Sequence, residues 1–443
     1  MSLEPAEATT GRSVVVFALA RMLLFATLLA APLAFGAVQA WAWGALAGVA
    51  AILLFLWSVE CVAQGELKIV WSPLYLPALL FLVLGVIQFS AHRTLDPIAT
   101  RESLLKLATD LIFFFLAGQL LATGTEKMLR GFSLAVVVYT FCLALYAMLQ
   151  FFSSNGLIYW RVQTLGSPFG PYVNHNHYAG LLEMLIPIGT GCVLSRRRDD
   201  PMRTLLGCAL LVPIASVLLC GSRGGFISLL VEVVILGAMV FRYAPMPRRR
   251  RLAAVGGVGI AMAALLFFWM DTGEISKRLA TIASVRHSPD VTMGRRLAVA
   301  RDSMRIFRDH RWVGTGLGSF EVAFPQYQSF PGDEIWEHAH DDYAEALAET
   351  GLAGGLLIVA ALVIFFPLGF GELGQRLRHG TGWIQLGAAI GCCGLLLHSF
   401  VDFNFHVPAN AAWFAACLAI ATCNVPRHFP QRYRDTAEAE SRD

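Results

Sequence analysis

The chain has 443 residues, 56% of them hydrophobic and only 15% charged, with a mean hydropathy of +0.60. A soluble domain carries about 25% charged residues, so a water-soluble protein is excluded. The formal net charge is only +3, and the basic residues stand in short clusters between apolar runs. That is a membrane-topology pattern rather than a nucleic-acid surface, and no nucleic-acid partner is expected.

A membrane span needs roughly 20 mostly apolar residues. In chain order this predicts helices near residues 14–35, 41–62, 70–90, 104–122, 131–152 and 178–195, then 204–220, 224–241, 253–270, 352–371, 381–401 and 407–424. The first run is longer than the apolar core of a signal peptide and is read as a retained helix. The pair on either side of Gly221 to Gly225 is the one place where two spans are hard to tell from one broken helix. All nine cysteines fall in or at the ends of apolar segments, so no disulfide framework or cysteine metal site is expected.

The fold class that follows is an all-α polytopic membrane protein of about 12 spans. Residues 1–270 hold spans one to nine, 271–351 form a large helical loop, 352–424 hold the last three spans, and 425–443 form a tail. Lysines and arginines of short loops resist translocation. They cluster at Lys68, at Lys127 and Arg130, at Arg196 to Arg198 with Arg203, and at Arg248 to Arg251. The series continues with Arg376 and Arg378, then Arg427, Arg432 and Arg434. This alternation puts both termini in the cytoplasm and the long loop outside. Within that loop Leu297, Ala300, Met304 and Phe307 recur at helical spacing, which predicts an amphipathic helix over 295–309. A second loop helix is expected from about His340 to Thr350, with His340, Tyr343 and Leu347 on one face and Gly351 as its stop.

Four polar features converge on the outer face. The stretch Arg161 to Gly180 brings Arg161, Asn174, His175, Asn176 and His177 to the entrance of a helix, where an anion is favoured; an ordered polar cap is the plainer reading. Gly221 to Gly225 sets Arg223 among glycines, where a guanidinium can take a phosphate with two parallel hydrogen bonds, or merely snorkel. His338 and His340 precede Asp341, Asp342, Tyr343, Glu345 and Glu349. A neutral histidine there suits general-base work, H-x-H beside acids also fits a divalent metal, and a purely structural pair is common. Asp402 to His406, with His398 one turn earlier, sits between the last two spans, either as a functional group or as a tolerated interfacial hairpin. Arg93, Arg101, Arg295 and Arg296 add positive charge that suits an anionic, lipid-linked ligand.

His340 and Asp341, nine further residues, then Gly351, Leu352, Ala353 and Gly354 resemble the H-N-x9-G-x-x-G pattern of the O-antigen ligase and polymerase superfamily, with Asp341 in place of the usual Asn. Ser222 to Gly225 resembles that family's arginine motif. Gly294 and Arg295 with Gly314 to Phe320 resemble its loop signature. The resemblance covers about residues 150–420.

The resemblance implies a glycosyltransferase of the bacterial inner membrane with its active face in the periplasm. Its donor would be an undecaprenyl diphosphate-linked glycan, and its acceptor lipid A-core or another lipid-linked glycan. It further implies inverting chemistry with no metal and no cofactor. His340 is then the expected base, with His338 as substitute or partner. Arg223, Arg161, Arg295 and Arg296 are expected on the diphosphate, and Asn174, His177, Asp341 and Tyr343 in the substrate site. Membrane lipids are the remaining partner. The competing readings are a polymerase of the same superfamily, a transporter or flippase, which would show repeat symmetry and mid-membrane polar groups, and a loop that only binds a partner.

Overall fold

The computed structural model describes residues 6–122, 125–243, 257, 293–332, 335–378 and 380–423. Thirteen longer helices follow in chain order: α1 (Ala6–Leu33), α2 (Ala40–Gln64), α3 (Tyr75–Ser90), α4 (Pro97–Ala117), α5 (Glu126–Ser153), α6 (His175–Leu194), α7 (Pro201–Ala209), α8 (Leu211–Cys220), α9 (Arg223–Tyr243), α10 (Met293–Asp309), α11 (Asp342–Phe370), α12 (Gly382–His398) and α13 (Pro408–Thr422). No strand forms among the described residues beyond two isolated bridges.

Among the described residues, eight helical stretches are long and apolar enough to cross a membrane, and α3, α12 and α13 are shorter apolar helices. Each expected span except the ninth falls on one of these; residues 253–270 apart from 257 lie outside the described residues, as do 271–292 of the loop and 425–443 of the tail. The seventh span is divided into α7 and α8, which meet at Leu210. Gly221, at φ 77°, then turns the chain into α9, so α8 and α9 are two helices rather than one broken one.

Sequence sets the helix starts. Asp96, Thr125, Asn174, Asp200 and Asp341 each turn a side-chain oxygen back onto backbone N–H groups of the first turn, which stabilises a helix by about 1 kcal/mol. The bundle is organised around α6, whose apolar window is 83% buried. It packs chiefly on α12, and glycines make that approach possible. A Cβ on Gly191 would lie 2.2 Å from the Trp383 carbonyl oxygen, and one on Gly387 2.2 Å from that of Pro187. Small residues let membrane helices approach this closely. A polar tie joins the same elements, with His398 Nδ1 3.0 Å from Glu183 Oε1 across α12 and α6, and a second joins α13 to α1, where the fully buried Trp413 donates from Nε1 to the Leu28 carbonyl at 2.7 Å.

The loop has its own small core of Val299, Ile306, Phe320, Phe324, Trp336, Ala339 and Ala348. The expected amphipathic helix is present as α10, but its buried face is different. Val299, Asp302, Ser303 and Ile306 point inward, while Leu297 is 58% exposed. Asp302 earns its burial by accepting from Ser329 N at 2.8 Å, a pairing that hydrophobic periodicity does not register.

The expected helix from His340 to Thr350 is shifted only at its start. It begins at Asp342 after the Asp341 cap, and Gly351 (φ 62°, ψ −159°) breaks it as expected, with Leu352 N and Ala353 N donating to the Arg311 and Trp312 carbonyls of the loop. The loop helix and the tenth span therefore meet at a break at Gly351. Beside the break the loop is sewn to the helix: the buried Glu349 carboxylate accepts from Gly318 N at 2.7 Å and Phe320 N at 2.9 Å, and Gln88 of α3 donates to the Glu349 carbonyl at 2.8 Å.

Candidate functional site

The N-termini of α6, α9, α11 and α13 and the C-terminus of α12 meet at one end of the bundle. Direct contacts fix this. Asp342 N donates to the Ser399 carbonyl at 2.9 Å, and Asn410 Nδ2 to the His177 carbonyl at 2.9 Å. A Cβ on Gly224 would lie 2.5 Å from His398 Nε2, so a side chain at this position would separate α9 from α12. All four polar features read from the sequence therefore reach this end, although they do not all join one cluster.

Phe403, in the α12–α13 link, is the centre. Its ring stacks on His338 at 4.5 Å between centroids and meets His177 and His340 edge to face at 4.7 and 4.9 Å. The imidazoles fall into two groups around it, each with its own carboxylate.

In the first group Asp402 is completely buried. Its Oδ1 lies 3.5 Å from His340 Nδ1 and 3.8 Å from His177 Nε2, too far for closed hydrogen bonds. His340 Nδ1, His177 Nε2 and Asp402 Oδ2 are all buried without a hydrogen-bond partner. Burial alone would raise the Asp402 pKa, but His177, His340 and His398 outweigh it and hold the carboxyl well below the ordinary range. His340 also has a left-handed backbone (φ 53°), a conformation that costs a non-glycine residue on the order of 1 kcal/mol and concentrates at functional sites.

In the second group the contacts are closed. His338 Nδ1 is 2.8 Å from Glu345 Oε1, and Ala339 N donates to Glu345 Oε2 at 2.7 Å. His406 bridges two carboxylates, with Nδ1 at 2.9 Å from Asp342 Oδ1 and Nε2 at 3.2 Å from Glu345 Oε1. Burial would lower the His406 pKa, yet Glu345 and the hydrogen-bonded Asp342 raise it to about 10.

The other expected residues take mixed positions. Arg223 is the first residue of α9 and exposed, with no ion pair among the described residues. Arg296, in the first turn of α10, donates to the Val401 carbonyl at 3.1 Å and so leans on the segment that carries Asp402; Arg295 is its half-buried neighbour. Arg161 sits on an exposed turn closed by the Ile158–Val162 bridge. That turn is anchored by Tyr159, whose hydroxyl donates to the Leu33 carbonyl and whose N–H donates to Gln150, so it belongs to α1 and α5.

Asn174 spends its side chain capping α6. Asp341 caps α11 through Tyr343 N and Ala344 N, both at 3.0 Å, and Tyr343 donates to the Leu396 carbonyl at 2.7 Å. These three side chains therefore position helices. Conversely, Asp402, Phe403, Glu345 and His406 complete the site. Glu345 stood with the loop histidines in the sequence, whereas the D-F-N-F-H run was the only sequence signal for Asp402, Phe403 and His406, and spacing alone does not pair it with residues some sixty positions earlier.

The arrangement sets a histidine near a buried carboxylate at an end of the bundle that also carries Arg223 and Arg296, a set of groups able to exchange a proton and to meet negative charge. Residues 208–359 match the family model described as O-antigen ligase, which supports the O-antigen ligase and polymerase superfamily. The matched span contains Arg223, Arg295, Arg296, His338 and His340, and ends before Asp402 and His406. No curated protein matches the chain.

Proposed function

We propose that this protein transfers a glycan from undecaprenyl diphosphate to a sugar hydroxyl of lipid A-core at the periplasmic face of the inner membrane, with inversion at the anomeric carbon. The observation that carries the reading is the His340 and Asp402 pair inside a chain that matches the O-antigen ligase family. Asp402 stands on the Nδ1 side of His340 at 3.5 Å, which leaves Nε2 for the acceptor.

The acceptor oxygen attacks the anomeric carbon as its proton passes to His340 Nε2. The bond from that carbon to the diphosphate oxygen breaks, and the leaving diphosphate keeps the electron pair. Charge developing there is met by Arg223 and by Arg296, with Arg295 beside it; preorganised cations at a departing oxyanion typically supply several kcal/mol of transition-state stabilisation. Arg161, held on α1 and α5, is the arginine with least support for this role. An activated lipid-linked donor also suits a face where soluble nucleotides are scarce. In the same reading both termini are cytoplasmic.

The test is transfer by purified protein in proteoliposomes with undecaprenyl diphosphate oligosaccharide and either lipid A-core or a lipid-linked repeat as acceptor. Product on lipid A-core is the expected result. Chain growth on the lipid carrier alone would make the protein a polymerase, and no transfer to either acceptor would overturn the reading.

A further inference from the structure

The second histidine group has a composition and geometry that proton removal does not use. His338, Glu345 and His406 each offer one ligand-type atom, and these atoms lie within 4.8 Å of one another. Two of the spacings, 2.8 Å between His338 Nδ1 and Glu345 Oε1 and 3.2 Å between His406 Nε2 and Glu345 Oε1, approach the separation of roughly 3.3 Å that ligand atoms adopt in a tetrahedron around an ion about 2.0 Å from each.

We propose that His338, Glu345 and His406 bind one divalent transition ion, zinc foremost, through His338 Nδ1, Glu345 Oε1 and His406 Nε2. Two imidazoles and one carboxylate form a donor set that suits zinc.

The atoms behind the ligands support this. His406 Nδ1 donates to Asp342 Oδ1 at 2.9 Å, the carboxylate partner that fixes the tautomer and raises the basicity of a ligating histidine. Glu345 Oε2 is held by Ala339 N at 2.7 Å, which turns Oε1 toward the histidines. Phe403 lies flat against His338 and limits its rotation. Glu345 is buried, and it and Asp342 both contact His406, so two carboxylates face the rings. His338 and His406 side chains remain 26% and 32% exposed, so an ion can enter and water can fill a fourth position.

The ligands come from three separate segments: the loop, the first turn of α11 and the α12–α13 link. A bound ion thus clamps the loop to the last hairpin. His340 lies two residues after His338, and Asp402 four residues before His406. Resting on the transfer reading above, the clamp is a positioning device for that pair. The site departs from the metal-free expectation drawn from the family resemblance.

The test uses the full-length protein in detergent, stripped with chelator, dialysed against zinc chloride at pH 7.5 and measured for bound metal. Substitution with cobalt(II) reports coordination by its visible absorption. The expected result is close to one zinc per chain, a four-coordinate cobalt spectrum, and loss of both in the double variant Glu345→Gln with His406→Gln. Asp342→Asn leaves all three ligands in place and should weaken zinc by about 10–100-fold. His340→Ala should bind zinc as wild type does. The proposal is overturned if the stripped wild-type protein takes up no zinc above the double variant, or if a folded double variant binds as tightly as wild type. Zinc binding without glycan transfer would sink the functional reading and leave this one standing.

Discussion

The two histidine groups that share Phe403 differ in how far their hydrogen bonds are closed. Around Asp402 the imidazole nitrogens stand 3.5 and 3.8 Å from the carboxylate and are unpartnered. Around Glu345 they stand at 2.8 and 3.2 Å, with further ties to Ala339 and Asp342. Open, buried polar atoms are costly and persist where a ligand or a proton completes them. A closed network fixes geometry. The first group thus suits a residue that changes protonation during turnover, and the second a fixed station that sets where the first one lies.

Breaking each group separately sharpens this contrast. The largest effect is expected for His340→Ala, with transfer lowered by about 10²–10⁴-fold, the usual contribution of a general base, and with the protein still eluting as a folded species. Asp402→Asn keeps the shape and removes the charge, and should lower transfer by roughly 10²-fold through misorientation of His340. Initial rates at saturating donor check both.

A loop contact should act on stability instead. Glu349→Gln weakens a carboxylate that accepts from two backbone N–H groups and should cost about 1–3 kcal/mol, read as a lower unfolding temperature in detergent. The smallest effect is expected for Arg161→Ala. Its exposed turn is held on α1 and α5, so transfer should stay within about twofold of wild type, the scale of a solvated surface charge. A large loss there would bring that turn into the site.

Acid gives a separate check on Asp402. Its folded pKa is depressed by the surrounding histidines, so its contribution to stability is present above the ordinary carboxylate value of about 4 and is lost as pH falls through the lower folded value. The difference in unfolding temperature between wild type and Asp402→Asn should not shrink between pH 7 and about pH 5, and should shrink only in stronger acid. A difference that already fades near pH 6 would contradict the buried, ionised carboxylate.

The membrane part of the fold was legible because apolar run length alone marks a span, as at α2, α5 and α9. The division of the seventh span at Leu210 was not, since the apolar run from Leu205 to Val212 passes through it without a polar residue. The face of α10 was misread for a physical reason: Leu297 is apolar yet exposed, whereas Asp302 is charged yet buried on a backbone N–H. In the site His338, His340 and Arg223 stood out by residue type and position. Asn174, Asp341 and Tyr343 stood out too, but their side chains turned out to cap or dock helices. Asp402 and His406 needed the fold, because only the packing of the last hairpin on α11 brings them to the loop histidines.

The central claim is that His340, not its neighbour two residues away, takes the acceptor proton. The most direct test is to compare His340→Ala and His338→Ala in the same reconstituted transfer assay, both supplied with zinc and both verified as folded. Transfer abolished in the first and retained at a measurable fraction in the second is the predicted result. Near wild-type transfer by His340→Ala would contradict the account.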